Sequence, residues 1–213
     1  IIIDSETKAG VYEYLYTICE KLNPGNCDSA VVTIVVEKSL IEANNDSETI
    51  NGKVGGVTST VLDNDNLNGV ILVPSDVKLT YVSSIADGKI TMQSDGTIII
   101  DSETKAGTYY YYYTICEILN PDNCDSGTAI IIVEPSIIEV VKDTLGNYHG
   151  KDGGVTTSVL QNDKLNGVVI DPSDIALSYV PSIEGGKIMM QPDGTIIIDS
   201  ETKAGTYEYS YTI

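Results

Sequence analysis

The chain has 213 residues, enough for one large domain or two ordinary ones, and 42% of them are hydrophobic, so that apolar cores can form. It carries 12 basic and 31 acidic residues, which gives a net charge of −19. Such a chain is repelled by the phosphates of nucleic acids and of anionic membranes, and both are excluded as partners. The most apolar stretch, 129–141, is interrupted by Glu134 and Pro135, so membrane insertion is not expected either.

The sequence repeats with a period close to the size of a domain. IIIDSETKAG occurs at 1–10, 98–107 and 196–205, so its copies begin 97 (98 − 1) and 98 (196 − 98) residues apart. A period this long is typical of tandem domains rather than of solenoids. We expect residues 1–37 to be the C-terminal part of one repeat, 38–134 a complete repeat, and 135–213 a repeat without its last strand. The chain is then a window of a longer array.

The first predicted elements are two strands that form a hairpin. VYEYLYTI, at 11–18, alternates between tyrosine and other residues, which is the period of a β-strand with one buried face. In its third copy, at 206–213, the residues between the tyrosines are Glu208, Ser210 and Thr212, so the tyrosine face is predicted to be the buried one. The second strand follows at 29–36, with Ala30, Val32, Ile34 and Val36 facing inward.

Four cysteines occur as two pairs with the same spacing, Cys19 with Cys27 and Cys116 with Cys124. Each pair brackets an Asn-Pro turn between the last two strands of a repeat, which places its two cysteines opposite each other. Of the three possible pairings, the two local disulfides are therefore favoured. Metal binding and redox catalysis are poor alternatives, because C-x-x-C motifs and partner histidines are missing. Paired cysteines imply an oxidising, extracytoplasmic compartment.

An acidic loop, DNDN at 63–66, has two interpretations. Clustered oxygen ligands suggest calcium, with Asp63 and Asp65 as the candidate ligands. The alternative is capping of the local turn by Asx side chains. In the next copy of the loop Asp63 is replaced by Gln161 and Asn66 by Lys164, so a calcium site common to all repeats is not expected.

Turn signals follow at intervals of about 8–12 residues through the rest of each repeat. They include Asn68-Gly69, Asp87-Gly88, Asp95-Gly96 and Asp193-Gly194. No segment of useful length shows the 3.6-residue period of a helix. The sequence therefore predicts an all-β fold of tandem immunoglobulin-like β-sandwiches, with about seven strands in each repeat.

TYYYYYTI, at 108–115, repeats the tyrosine strand with two additional tyrosines. Tyr109, Tyr111 and Tyr113 continue the buried face, whereas Tyr110 and Tyr112 point outward in this copy alone. One interpretation is strand propensity and cross-strand packing. The other is an aromatic platform that binds a glycan or a partner protein.

Catalytic chemistry is not indicated. His149 is the one histidine of the sequence, and the motifs of hydrolases, kinases and dinucleotide-binding enzymes are missing. The carboxylates Asp101 and Glu103 could be imagined as an acid–base pair. They recur in every copy of a polar loop between strands, however, which favours a solvated turn. The sequence predicts that the protein is not an enzyme and has no cofactor other than the calcium considered above.

The segment KAGTYYYYYTICEILNPDNCDSGTAIIIV, at 105–133, together with SVLQNDKLNG and QPDGTI, resembles the Ig-like tandem repeats of large Bacteroidota cell-surface adhesins. Within that family it resembles the repeats of SprB-type gliding-motility adhesins. The resemblance covers the whole chain and implies secretion, attachment to the outer membrane and display as extracellular filaments. The DSETK loop departs from the Pro- and Gly-rich turns of that family, which leaves the conformation of this loop open.

These observations predict a structural spacer of a large extracellular adhesin, with an Ig-like module that binds glycans or proteins as the alternative. Neighbouring repeats are the expected partners, and surface glycans are possible ligands of the Tyr110 and Tyr112 face. Residues 1–37 carry a strand at 30–36 of the kind that 135–213 lacks. Exchange of strands between chains, end to end, is therefore a further expectation.

Overall fold

The structure is a computed structural model that describes the backbone of residues 1–213 and all side chains except that of Ser84. Contacts divide the chain into two compact units, residues 1–135 and 136–213. The described residues form β-strands and short 3-10 helices, and none of their helices is long and apolar enough to cross a membrane.

The first unit contains thirteen strands, β1 (Gly10–Cys19), β2 (Cys27–Val36), β3 (Ile41–Glu42), β4 (Asp46–Asn51), β5 (Gly56–Val57), β6 (Asn66–Leu67), β7 (Val70–Ile71), β8 (Val77–Tyr81), β9 (Ser84–Ile85), β10 (Ile90–Met92), β11 (Ile98–Ile100), β12 (Gly107–Glu117) and β13 (Cys124–Glu134). The second unit contains nine, β14 (Ile138–Glu139), β15 (Gly154–Val155), β16 (Lys164–Leu165), β17 (Val168–Val169), β18 (Ser178–Tyr179), β19 (Ser182–Ile183), β20 (Ile188–Met190), β21 (Ile196–Ile198) and β22 (Tyr211–Thr212). The 3-10 helices are Pro74–Asp76, Ala86–Gly88, Val159–Gln161, Pro172–Asp174 and Glu184–Gly186.

Strands β3 to β13 build a β-sandwich, which we call the central sandwich (residues 38–134). One sheet has the order β4-β13-β12-β8 and the other β5-β11-β10-β9. Their inner faces meet in one core, where Tyr111, Ile115 and Ile90 have no exposed surface. The predicted all-β sandwich is thus confirmed. It has more strands than the seven expected, because loops also pair locally, as in the hairpin of β6 and β7 around Asn68-Gly69.

The outermost strand of the first sheet, β4, runs parallel to the last strand, β13. The two share six residue pairs, from Asp46 opposite Ala129 to Asn51 opposite Glu134. On its other side β13 is antiparallel to β12, with ten pairs from Gly107–Val133 to Cys116–Cys124. The strand near the start of the sandwich is therefore bonded directly to the strand at its end.

Strands β1 and β2 form a separate antiparallel hairpin with ten residue pairs. We call residues 10–36 the N-terminal hairpin. Its tyrosine face was predicted to be buried, and this is wrong for this copy: Tyr14 is 61% and Ile18 66% exposed. The physical reason is that the described residues provide no second layer for this two-stranded sheet.

The second unit repeats most of the central sandwich. Its four-stranded sheet, β15-β21-β20-β19, matches β5-β11-β10-β9, and β14-β16-β17 matches β3-β6-β7. The other sheet is reduced to β18 and β22, which share two residue pairs. Segment 143–148, which aligns with β4, has no assigned strand structure in the described chain. A strand such as β4 forms only beside a partner, and no described strand of this unit takes the place of β13.

Candidate functional site

The disulfides lie at the turn end of each long hairpin. Cys19 is bonded to Cys27 and Cys116 to Cys124, as predicted. Each pair is also the last residue pair of its strand ladder. Each bond therefore holds together two strands that are already paired, and it prevents the hairpin from opening at the turn.

Non-reducing peptide mapping of protein from an oxidising compartment is expected to find the Cys19–Cys27 and Cys116–Cys124 links. Replacement of both Cys116 and Cys124 by alanine is expected to lower the free energy of unfolding by about 2.5 kcal/mol, because the open loop gains conformational freedom in the unfolded chain. A Cys19–Cys116 link, or free thiols in that material, would contradict the assignment.

Three tyrosines of β12, Tyr109, Tyr111 and Tyr113, point into the central sandwich, and we call them the tyrosine stripe. Every hydroxyl of the stripe donates a hydrogen bond to a backbone carbonyl. The acceptors are the carbonyls of Lys105 at 2.8 Å, Val82 at 2.6 Å and Asn44 at 2.7 Å. The stripe therefore places large apolar rings in the core without leaving an unpaired polar group.

The first tyrosine of the stripe explains the repeated K-A-G-x-Y motif. Its hydroxyl returns to the carbonyl of the lysine four residues earlier. The same bond forms from Tyr12 to Lys8 at 2.8 Å and from Tyr207 to Lys203 at 2.7 Å. This is the arrangement known as a tyrosine corner, in which a tyrosine near the start of a strand fixes the chain that leads into it.

The last tyrosine of the stripe bonds to a buried aspartate. Asp65 has no exposed surface, and its Oδ1 accepts hydrogen bonds from the Asn44 N–H at 2.7 Å and from the Tyr113 hydroxyl at 3.2 Å. In the second unit Asp163 is equally buried and accepts a hydrogen bond from Tyr211 at 3.1 Å. The aspartate that recurs in the acidic loop therefore connects the loop to the core.

A second aspartate, Asp46 of β4, lies beside this pair. Its Oδ2 is buried and has no hydrogen-bond partner. Burial, and next the negative charge of Asp65, raise the pKa of Asp46 to about 7, although the Tyr113 hydroxyl acts in the opposite direction. Burial also raises the pKa of Asp65. The sandwich thus contains a carboxyl group that holds a proton more strongly than the unfolded chain does.

The raised pKa of Asp46 predicts that stability falls as the pH rises. The folded protein binds this proton up to about pH 7, whereas the unfolded chain releases it near pH 4, so the contribution is complete below pH 4 and is lost through pH 7. We expect a loss of about 1–2 kcal/mol between pH 4.5 and pH 7.5, discounted for the partial exposure of Asp46. Denaturant titrations should show a smaller loss in Asp46→Asn, whereas Asp122→Asn, an exposed control, should match the unchanged protein. If the unfolding free energy falls equally with pH in the unchanged protein and in both variants, Asp46 does not have this role.

The calcium hypothesis is not supported by an assembled group of ligands. Among the described residues, no three His, Cys, Asp or Glu side chains are grouped so as to hold a metal ion. Asp63 is exposed, whereas Asp65 is directed inward to its hydrogen-bond donors. These hydrogen bonds do not cap the local turn, as the Asx interpretation predicted: Asn64 and Asp65 bond to the chain around Asn44, 19–21 residues away, and so tie the acidic loop to a distant segment.

Melting temperatures measured with excess EDTA and with millimolar Ca²⁺ are expected to agree within a few degrees, since a bound ion stabilises a fold only where a site exists. A large upward shift with Ca²⁺, absent with Mg²⁺, would show that the acidic loops bind calcium after all.

Tyr110 and Tyr112 lie on the outer face of the same strand, 52% and 66% exposed. Opposite them on β13 are Ile130 and Thr128. The structure therefore places both candidate ligand-binding residues side by side on an open sheet face.

The residues considered for catalysis have structural environments. Glu103 forms an ion pair with Lys53, at 2.8 Å. His149 is exposed, and its carbonyl accepts hydrogen bonds from the backbone of Asp152 and Gly153, both at 3.0 Å. Both residues therefore take part in turns, and neither faces a partner suited to acid–base chemistry in the interactions of the described chain.

Comparisons with known proteins give only distant similarities. No protein-family model and no curated protein matches the chain. Among solved structures, mouse protocadherin-24 EC1–3 matches 94% of this chain and 69% of its own, with 15% identity and a TM-score of 0.33. Mouse cadherin-23 EC22–24 has 15% identity, coverages of 93% and 66%, and a TM-score of 0.36. The human desmocollin-1 ectodomain has 12% identity, coverages of 87% and 36%, and a TM-score of 0.38. The fold assignment rests on the strand order of this chain itself.

Proposed function

We propose that this chain is a non-enzymatic spacer segment of a large extracellular adhesin or surface filament, in which tandem sandwiches carry a binding region away from the cell. Display on the outer membrane of a gliding bacterium is the specific setting that the sequence resemblance supports. The two disulfides support an extracellular location, since such bonds persist in oxidising compartments.

The observation that carries this proposal is the parallel pairing of β4 with β13. Tension on a tandem array pulls the start of each sandwich and its end in opposite directions. Because β4 and β13 are parallel neighbours with six residue pairs, this tension shears the ladder along its length. All its hydrogen bonds then resist together, whereas an antiparallel hairpin pulled from its open end loses them one at a time.

Two further features fit a load-bearing role. The Cys116–Cys124 bond closes the hairpin whose second strand is β13, so the turn cannot open under tension. The net charge of −19 makes neighbouring filaments repel one another, which opposes clumping. Neither feature creates a pocket for a substrate.

Single-molecule force spectroscopy on a concatemer of residues 38–134 tests the spacer function. We expect a high unfolding force for the unchanged domain and a clearly lower one for Thr49→Pro, because proline has no backbone N–H to donate within the β4–β13 ladder. Ser94→Pro is the matched control, since the second unit has Pro192 at this position. Low force in the unchanged domain, or equal forces in both variants, would count against a load-bearing spacer.

The alternative function is a binding module, and the exposed Tyr110 and Tyr112 favour it. A glycan array probed with the central sandwich would show binding that the double variant Tyr110→Glu and Tyr112→Leu loses. That variant carries the residues of the first copy, Glu13 and Leu15, so it keeps a natural strand sequence. Absence of binding in the unchanged sandwich would leave the spacer as the supported function.

A further inference from the structure

A buried glutamate lies at the Asn-Pro turn of the central sandwich, next in sequence to Cys116. Glu117 is the last residue of β12 and is 4% exposed. Its carboxylate accepts hydrogen bonds from the Ser39 hydroxyl at 3.0 Å and from the Asn123 side-chain amide at 2.9 Å. The same amide donates to the Ser39 carbonyl at 2.8 Å. The turn therefore holds the segment that leads into the sandwich through both the hydroxyl and the carbonyl of Ser39.

The charge of Glu117 strengthens this hold. Burial by itself would raise the pKa of Glu117, but hydrogen bonds from Asn123, Asn120 and Ser39 outweigh it and lower the pKa below its usual value. The carboxylate is therefore ionised at neutral pH. Hydrogen bonds to an ionised acceptor are about twice as strong as those between neutral groups.

The same network recurs in the first copy of the turn, so it belongs to the shared E-x-L-N-P-x-N motif. Glu20 accepts hydrogen bonds from the side-chain amides of Asn23 at 2.7 Å and Asn26 at 3.0 Å. In both copies the glutamate N–H also donates to the carbonyl of the second asparagine, at 2.9 Å. These bonds explain why the motif contains a glutamate and two asparagines, which a disulfide alone does not require.

The entry into each sandwich is also fixed by an Asn-Gly turn. The Leu40 N–H donates to Asn68 Oδ1 at 2.8 Å, and the Asn68 N–H donates to the Leu40 carbonyl at 2.7 Å. In the second unit Ile137 and Asn166 form the same two bonds, at 2.9 Å and 2.8 Å. The segment that leads into a sandwich is therefore part of its folded structure and does not act as a flexible linker.

The segment that leads into β1 contacts the same Asn-Pro turn of the central sandwich. The Ala9 N–H donates to Asn120 Oδ1 at 2.8 Å. Ala9 belongs to the K-A-G segment, which the hydrogen bond from the Tyr12 hydroxyl to the Lys8 carbonyl holds in place. Only residues 37 and 38 lie between the end of β2 and the held entry segment. The turn therefore meets the chain that precedes the sandwich at two points, the K-A-G segment and the linker.

We propose that the Asn-Pro turn of the central sandwich is the docking surface for the repeat that precedes it in the same chain. Asn120 binds the K-A-G segment, and Glu117 with Asn123 binds the linker, so the N-terminal hairpin and the sandwich keep one relative orientation. The contact is small, but a short tether raises the effective concentration of its partner to about the millimolar range. Its use as a stiff joint rests on the proposed spacer function, whereas the docking itself does not.

Distances between two spin labels test whether this orientation is fixed. All four cysteines form the two disulfides, so labels can be attached at the exposed positions Thr33→Cys in the hairpin and Ser94→Cys in the sandwich. We expect a narrow distance distribution in the full chain. The double variant Ser39→Ala and Asn120→Ala should give a clearly broader one, because it removes a hydrogen bond at each of the two contact points.

The double variant Ser136→Ala and Asn23→Ala is the matched control. It makes the same changes at the corresponding positions of the other copies, so the distribution should stay narrow. Thermal unfolding checks that the sandwich stays folded in each variant. A broad distribution in the unchanged chain, or equal widths in the two double variants, would overturn the proposal.

Exchange of the Ala9 amide hydrogen measures one of the contacts directly. Asn120→Ala should make this exchange about 5–10 times faster, as expected for the loss of one hydrogen bond, and Asn23→Ala should leave it unchanged. Equal exchange in the unchanged chain and in Asn120→Ala would also overturn the proposal. A high unfolding force together with a loose joint would refute the docking and leave the spacer function in place.

Discussion

Expressed alone, residues 38–134 are expected to form a monomer that unfolds cooperatively, whereas residues 135–213 are expected to be unfolded or to oligomerise. The central sandwich has both sheets and a continuous core that includes Tyr111, Tyr113 and Ile131. In the second unit the corresponding tyrosines, Tyr209 and Tyr211, remain partly exposed and line an open groove. A sheet with an unpaired edge and a half-covered core is a poor independent folding unit.

Circular dichroism melting and light scattering of the two fragments measure this difference. Addition of a folded, disulfide-closed peptide of residues 1–37 should increase the melting temperature of 135–213, because the peptide supplies the absent strand. The same peptide with Ile34→Asp is the control and should have no effect. If 135–213 is a stable monomer as made, the proposed repeat boundary or the proposed strand order is wrong.

The sequence was sufficient to predict the features that depend on periodicity. Alternation of tyrosine with other residues indicated which face of β12 is buried, and Tyr111 and Tyr113 are at most 1% exposed. The separation of 8 positions within each cysteine pair indicated both disulfides, because each pair flanks one hairpin turn. These inferences needed only the geometry of a single strand or hairpin.

Features that depend on contacts distant in sequence could not be predicted in this way. In the sequence Asp65 is one of several acidic residues of its loop. Only the fold brings it within hydrogen-bond distance of Tyr113, 48 residues away. Similarly, nothing local marks Asp46 as a carboxyl group with a raised pKa. The DSETK loop was also left open, and the structure shows Glu6, Glu103 and Glu201 at φ of 66°, 61° and 60°. A signal was available for Asp65, since the tandem copy retains Asp163 but replaces Asp63.

The buried aspartate leads to the second large prediction, that Asp65→Ala lowers the free energy of unfolding by about 3–5 kcal/mol. Alanine removes the acceptor of the part-buried Asn44 N–H and of the buried Tyr113 hydroxyl. An unsatisfied buried donor costs about 1–3 kcal/mol, and the lost side chain also leaves a cavity. The Tyr113 hydroxyl keeps the Asn44 carbonyl as an acceptor, so its loss is partial.

Urea titration of residues 38–134 measures the effect, with Asp63→Ala as the control. Asp63 is two residues away in the same acidic loop but exposed, so its replacement should change stability by less than about 0.5 kcal/mol. The loss of stability in Asp65→Asn should lie between the losses in Asp63→Ala and Asp65→Ala. The amide oxygen of asparagine still accepts a hydrogen bond, but its NH₂ group faces other donors. If Asp63→Ala costs as much as Asp65→Ala, the acidic loop acts through its total charge, and the hydrogen bonds to Asp65 do not explain why this aspartate recurs.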